Sequence, residues 1–327
     1  MPRSSTRPSW AYNSVASWLE GGTPPTALTS PALQSQVRLQ DQVAQSLGRV
    51  RHTQGALTLE TIQTSAVFEG EALQDLIPDQ NNRAHDLIEN VMVAANGVAA
   101  RWLQEKGLAS IRRVLRSPAH WDRIVALAAE HGGKAAGGSG SGRAEHIPGA
   151  ESPVTAGNNL PTFPLRSSSC WVAGEYALEV PGQTVAGHFG LAVRDYMHST
   201  APNRRYPDVI TQRLVKSALS NAPAPYTTAE LQDLAAHCTA QEDIAAKVER
   251  RVGKSAAALL LQTRIGQTFD AVVTGAADKG TWARTTLPPA EGRIVRGFQG
   301  LAVGQAVRVR LLSTDVNRGF IDFAREA

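Results

Sequence analysis

The densest run of chemically capable side chains is His188-Phe-Gly-Leu-Ala-Val-Arg-Asp-Tyr-Met-His-Ser-Thr-Ala-Pro-Asn-Arg-Arg-Tyr-Pro-Asp208. Pro202 enforces a turn between a short apolar run and a helix expected over Val209 to Leu219, which sets Arg204 and Arg205 at the first turn of that helix. A helix start leaves backbone N–H groups unpaired and carries the positive end of the dipole, so it favours an anion, and a guanidinium beside it can grip a phosphate through two oxygens. The same residues also read as a basic N-cap on a loop. The chemistry on offer is phosphate binding.

The elements that must hold this stretch follow from periodicity. Residues 12 to 20 read as a short helix closed by Gly21-Gly22, and Pro24, Pro25 and Pro31 enforce a loop after it. A second helix places Val37, Val43, Leu47 and Val50 on one side. After Gly55 the pattern turns extended, over 56–60, 65–68 and 72–77, with a hairpin turn at Gly70. A long amphipathic helix follows, with Leu87, Ile88, Val91, Met92, Ala95, Val98, Ala99, Trp102 and Leu103 on its apolar face, until Gly107 stops it. A further helix is expected from about His120 to Glu130, and the Gly/Ser-rich run about 132–150 has the composition of an insertion too polar to pack. Thr227-x-x-Glu230 and Thr239-x-x-Glu242 read as two capping boxes, each opening a helix. From Gly266 onward five short strands, 268–273, 281–286, 292–296, 306–311 and 318–323, fit a small closed barrel of the OB type.

Composition bounds the rest. The 327 residues have room for one large domain and a small one, and 42% hydrophobic content is ordinary for a globular chain. The formal charge of +4 comes from a set of 33 basic residues of which only six are Lys, which suits phosphate recognition. High Ala, Arg and Gly equally reflect a GC-rich coding bias. Cys170 and Cys238 lack neighbours at ligand spacing, so neither a disulfide framework nor a zinc site is expected, and both read as buried filler. No apolar run reaches the length of a membrane span and the first residues lack the core of a signal peptide. A cytoplasmic protein with no membrane partner is expected, with residues 1–11 as a disordered start.

His-Phe-Gly-Leu-Ala, Tyr-x-His-x-Thr and Ala-Pro-x-Arg-Arg-Tyr-x-Asp, in that order, resemble the signature of the RNB exoribonucleases, the family of ribonuclease II and ribonuclease R. Ser199 stands for an aromatic residue of that pattern, Ala201 for Ser and Asn203 for Ile. The run Arg83 to Asn96 resembles the same family's Leu-Ile/Val-Glu-Glu-x-Met-x-x-Ala-Asn helix, with Glu89 on the first Glu and Asn90 on the second. Ile111 to Pro118 is similar to its Arg-Val-His-Glu-x-Pro segment, with Leu115 and Arg116 replacing His and Glu. The end of the chain resembles an S1-type RNA-binding domain. The resemblance implies an α+β fold, a partial RNB domain over 12–265 with helices on a mixed sheet, followed by a five-stranded S1/OB barrel over 266–327. It also implies metal-dependent 3′-to-5′ hydrolysis of single-stranded RNA to 5′-nucleotides. Arg204 falls on the catalytic, phosphate-clamping arginine, with Arg205 and Tyr206 in the RNA-binding stretch beside it. Tyr12 falls on an aromatic that packs against the terminal base, Glu89 near the 3′-terminal nucleotide, and Glu249 on a Glu at the ribose end. Glu89 and Glu249 judged alone also read as solvated carboxylates. Leu59 stands where ribonuclease II has a base-stacking Phe, and leucine cannot stack as an aromatic does. On the barrel Arg308 and Arg310, with Phe320 and Phe323 nearby, are the RNA-binding candidates, some of those rings filling the barrel.

The family's Mg2+ site is a cluster of aspartates, Asp-x-x-x-x-x-Asp-x-Asp-Asp, upstream of Tyr12. Here the first acidic residue is Glu20 and no Asp-x-Asp occurs, so no metal ligands are assigned. Arginine can clamp a phosphate but cannot generate hydroxide at neutral pH. The expected partners are single-stranded RNA and either a separate polypeptide carrying the missing N-terminal half or a second copy of the chain. The alternative function is a non-catalytic RNA-binding fragment or degenerate family member.

Overall fold

Helix α3 (Arg83–Glu105) is the axis of the first half of the molecule. The Asn82 side chain caps it, accepting from the backbone N–H of Ala84 and His85 at 3.1 and 3.2 Å, and Gly107 with φ of +68° lets the chain leave. Its buried stripe is Ala84, Leu87, Asn90, Val93, Asn96, Gly97, Ala100 and Leu103. This corrects the expected apolar face, because Ile88, Val91 and Val98 are exposed. Asn90 and Asn96 bury instead because each finds cross-element partners, and a satisfied polar group can enter a core that periodicity reserves for apolar ones.

The computed structural model describes residues 12–26, 28, 30–56, 63–70, 72–79, 81–116, 174–183 and 185–326. Helix α1 (Tyr12–Leu19) and helix α2 (Pro31–Thr53) pack on the N-terminal half of α3 around Val15, Trp18, Leu28, Val37, Ala44 and Leu87. In α2 the buried positions are Val37, Asp41, Ala44 and Gly48; Val37 is buried as expected and Leu47 half-buried, whereas Val43 and Val50 point outward. The cause lies across the seam. Asp41 is held by Arg83 at 2.6 Å, and a Cβ at Gly48 would stand 3.1 Å from the Asn90 amide, so the helices approach at a glycine and an ion pair.

Strands β1 (Gln63–Glu69) and β2 (Ala72–Asp79) form the expected antiparallel hairpin about Gly70. The earlier extended run, 57–60, lies outside the described residues, as do the helix near 120–130, the insertion about 132–150, Leu59, Cys170 and residues 1–11. Strands β3 (Ser110–Val114) and β4 (Glu175–Glu179) pair antiparallel, and the buried Arg112 bonds Glu179 across them at 2.5 Å. Helix α4 (Tyr206–Leu219) and helix α5 (Thr228–Leu261) complete the helical set. Ala100, Leu103, Ile111, Met197, Ile210, Leu214, Leu231, Ala235 and the buried Cys238 form one core.

Only the first capping box operates. Thr227 N–H donates to Glu230 Oε2 at 2.7 Å and Glu230 N–H to Thr227 Oγ1 at 3.2 Å. Thr239 lies inside α5 rather than opening a helix. Its hydroxyl donates to the Ala235 carbonyl one turn back and accepts from Tyr176 N–H at 2.8 Å, so its side chain is occupied.

The chain divides into two compact units. The first holds α1–α3, β3, β4, α4 and α5 as far as Ala240; the second holds the hairpin, the rest of α5 and the barrel. The barrel strands are β5 (Thr268–Ala277), β6 (Gly280–Thr285), β7 (Glu291–Arg296), β8 (Ala306–Asp315) and β9 (Phe320–Arg325), closed in the order β5-β6-β7-β9-β8. β7 and β9 run parallel and the other pairs antiparallel. Alternation sends Phe269, Ala271, Val273, Ile294, Val309, Leu311, Ile321 and Phe323 inward, against Leu76 and Leu261. The fold class is α+β with a terminal closed barrel.

Candidate nucleic-acid interface

The signature loop ends three residues before the expected helix start. α4 begins at Tyr206, so Arg205 is its N-cap residue and Arg204 belongs to the turn before it, which corrects their placement within the first turn. Arg204 and Arg205 both donate their backbone N–H to the Ala201 carbonyl, at 3.2 and 3.0 Å. The two side chains then diverge. Arg205 Nη2 donates to Asp208 Oδ1 at 2.7 Å, a carboxylate that is fully buried and also accepts from Ala201 N–H at 2.8 Å. Arg204 is exposed, and among the described residues no hydrogen bond or ion pair engages its guanidinium. One arginine is spent on the fold and its neighbour is presented.

Behind the loop stands a layer of rings. Tyr176 OH lies 2.9 Å from His198 Nδ1, and Tyr196 packs edge-on against both His188 and His198. Burial first, then the nearby Arg205 and Arg113, pulls His198 down to about 3; burial and Arg113 pull His188 down to about 4. Both imidazoles are therefore neutral at pH 7 and add no charge to the site. Burial raises Tyr196, so its hydroxyl stays protonated. The exposed cation at the start of α4 is Arg204.

The other candidates are scattered. Tyr12 is exposed on one face and stacks on His85 with its other, centroids 4.0 Å apart and planes 13° apart. Glu89 is half-exposed and meets Arg51 Nη2 at 3.2 Å. Arg51 also donates through Nη2 and Nε to Asn90 Oδ1, at 2.5 and 3.2 Å, a link between α2 and α3 that no local sequence signal announced. Tyr206 is exposed at the start of α4. Glu249 is exposed on the part of α5 that belongs to the second unit.

On the barrel the two expected arginines are partnered. Arg308 Nε faces Asp270 at 3.4 Å and Arg310 Nε faces Glu326 at 2.6 Å. Phe323 is fully buried and fills the barrel, whereas Phe320 is exposed with the Arg318 guanidinium 5.3 Å from its ring. Sequence reading missed a second aromatic and cation. Trp282 on β6 is half-buried and opposite Arg293 on β7, and Arg293 lies so close over Gly280 that a Cβ there would stand 2.9 Å from its Nε. Alternation of Trp282 with Arg284 on β6 was the available signal.

These features converge with a comparison of families. A family model described as an RNB domain matches residues 5–221. The chain belongs to the RNB family. A second model, the RNase II-type exonuclease C-terminal S1 domain, matches residues 267–326 and coincides with the barrel. Ribonuclease R of Aquifex aeolicus is 26% identical over 333 residues, covering 92% of this chain and 46% of that protein. Ribonuclease R of Escherichia coli is 27% identical over 255 residues, covering 73% of this chain and 30% of that one. This RNB chain thus spans less than half the length of either relative. Among solved structures, Mycoplasma genitalium RNase R in complex with ribose methylated single-stranded RNA superposes with a TM-score of 0.78 at 18% identity, over 96% of this chain and 53% of that one. Yeast Ssd1, a pseudonuclease, gives 0.53 at 13% identity, over 86% of this chain and 35% of that one. Both show a shared fold.

The RNB chain does not fit a magnesium ion at this site. Mg2+ takes hard oxygen ligands, several of them carboxylates or waters in octahedral array. Asp208 is fully buried with its Oδ1 taken by Arg205 and the Ala201 N–H, and Glu89 Oε1 meets Arg51. Among the described residues no group of three or more His, Cys, Asp or Glu side chains is placed to hold a metal, and no helix is long and apolar enough to cross a membrane.

Proposed function

We propose that this chain supplies the RNA channel, phosphate clamp and S1-type barrel of an RNB 3′-to-5′ exoribonuclease that hydrolyses single-stranded RNA to 5′-nucleotides. The observation that carries the reading is the free, exposed Arg204 beside a helix start, with Arg205 held back by Asp208. In this reading Arg204 holds a backbone phosphate, Tyr12 packs on the terminal base with its free face, and Glu89 and Glu249 meet ribose. Tyr206 adds an exposed ring beside Arg204, Arg205 supports the clamp by holding Asp208, Arg308 and Arg310 are RNA contacts of the barrel, and the domain boundary is at 265/266. Resemblance to ribonucleases R supports it, as does the Arg-rich composition.

A second reading is an RNA-binding family member that does not cut. It is favoured by carboxylates already engaged by arginines, Glu89 by Arg51 and Asp208 by Arg205. Magnesium-dependent degradation of a 3′-labelled single strand by the stringently purified chain separates the two. Retained activity excludes the non-cutting reading; binding without degradation shows that the chain does not cut alone, and failure to bind the strand excludes both.

Arg204→Lys tests the clamp itself. It keeps the charge and loses the two-oxygen fork, so affinity should fall by about 1–3 kcal/mol for every sequence alike. Base preference should not move, since phosphate contacts carry no direct sequence information. Unchanged salt-dependent binding by Arg204→Lys would remove the clamp reading.

A further inference from the structure

Resting on that clamp reading, we propose that Asn96, Ser199 and Gln212 form a polar clasp that presents Arg204, and that they are positioning residues of the phosphate site. The loop before α4 is short and its outer residues, Thr200, Pro202, Asn203 and Arg204, are all exposed. Pro202 bends the chain, but among the described residues no hydrogen bond from these side chains fixes the direction in which Arg204 leaves the backbone.

The fixing comes from the two residues that alternate with them. Ser199 is buried and gives both its N–H and its Oγ–H to the single acceptor Asn96 Oδ1, at 2.9 and 2.7 Å. Its carbonyl accepts from Gln212 Nε2 at 2.6 Å. Every polar group of Ser199 is thereby tied, on one side to α3 and on the other to α4. Two residues later the Ala201 N–H is tied to Asp208, and the Ala201 carbonyl takes the N–H of Arg204 itself. Within a turn of six residues the backbone is thus pinned at Ser199 by Asn96 and Gln212 and at Ala201 by Asp208, and the Ala201 carbonyl passes that hold to the Arg204 N–H.

Residue type matters here. The position of Ser199 is the one at which this chain departs from the aromatic of the RNB pattern, and an aromatic carries no hydroxyl on its Cβ to reach Asn96 as Ser199 Oγ does. Ser199 adds its hydroxyl to its backbone N–H at the same acceptor, so that two donors converge on one oxygen of a fully buried amide. A directional tie suits a site whose ligand must be met at a defined guanidinium angle.

The test is a double-mutant cycle on binding of a fluorescein-labelled oligoadenylate single strand by the full chain. Ser199→Ala and Gln212→Ala should each weaken binding about three- to tenfold, the effect of one hydrogen bond, with melting temperature recorded for each. Ser199→Thr, which keeps the hydroxyl, should recover most of the affinity lost by Ser199→Ala. In an Arg204→Ala background the same two substitutions should produce no further loss, since they act through Arg204. Full additivity in that background, or wild-type affinity of both single variants, overturns the clasp while leaving the clamp. If Arg204→Ala itself binds normally, the clamp reading fails first and the clasp with it.

Discussion

At the scale of residues, adjacent arginines at one helix start carry opposite duties, and energies decide which is which. Asp208 is fully buried, so its carboxylate is stable only while Arg205 and a backbone N–H face it. Removing one partner of a buried charge pair costs about 3–5 kcal/mol. Arg205→Ala should therefore lower the urea midpoint strongly, whereas Arg204→Ala, at an exposed and unpartnered position, should leave it unchanged within about 0.5 kcal/mol. The neutral histidines make a second prediction. His198 and His188 have folded pKa values near 3 and 4, below the ordinary 6.5, so the unfolded chain binds their protons first. Stability is full above pH 6.5 and falls as pH drops from there toward about 4 for His188 and about 3 for His198, by up to about 2 kcal/mol per histidine at pH 5. Urea unfolding at pH 7.5 and 5 checks this, and His198→Asn should flatten the slope.

At the scale of elements, the periodic parts were legible and the polar seams were not. Alternation over 268–323 gave all five barrel strands because a barrel interior admits apolar side chains at every second position, and Phe323 sits there with no exposed surface. Phe323→Ala should cost about 3–5 kcal/mol, while Phe320→Ala, whose ring is exposed beside Arg318, should leave stability alone and weaken binding of single-stranded RNA. Thermal melts and a binding titration on the same two proteins distinguish filler from platform. Helices α2 and α3 were located but rotated, because Asp41, Gly48, Asn90 and Asn96 occupy buried positions that only a partner across the seam makes tolerable. The same limit applies to the site. Arg204 was readable from a local turn, whereas Asn96, Gln212 and Arg51 act over long sequence separations and carry no local signature. Thr239 failed in the reverse direction: its spacing to Glu242 was right, but its hydroxyl was already engaged by β4 and the preceding turn.

At the scale of the whole molecule, two helices expose apolar stripes. On α2 Leu39, Val43 and Val50 are 53%, 48% and 54% exposed; on α5 Ile244, Val248 and Val252 are 52%, 56% and 61% exposed. Phe68 of the hairpin is also exposed, while Tyr12 is partly covered by His85. Soluble monomers rarely leave such stripes uncovered, so the chain should self-associate as concentration rises. Salt separates this from RNA binding. Apolar contact between copies works against the mutual repulsion of molecules carrying a net charge of +4, and added salt screens that repulsion. RNA binding through arginine releases counterions and weakens as salt rises. Sedimentation velocity and RNA titration across one salt series should therefore move in opposite directions, with Val43→Glu combined with Val248→Glu suppressing association and leaving the melting temperature near that of the parent. A chain that stays monomeric throughout the series would show that these stripes are too narrow to drive contact, and association that weakens with salt alongside RNA binding would assign it to charge.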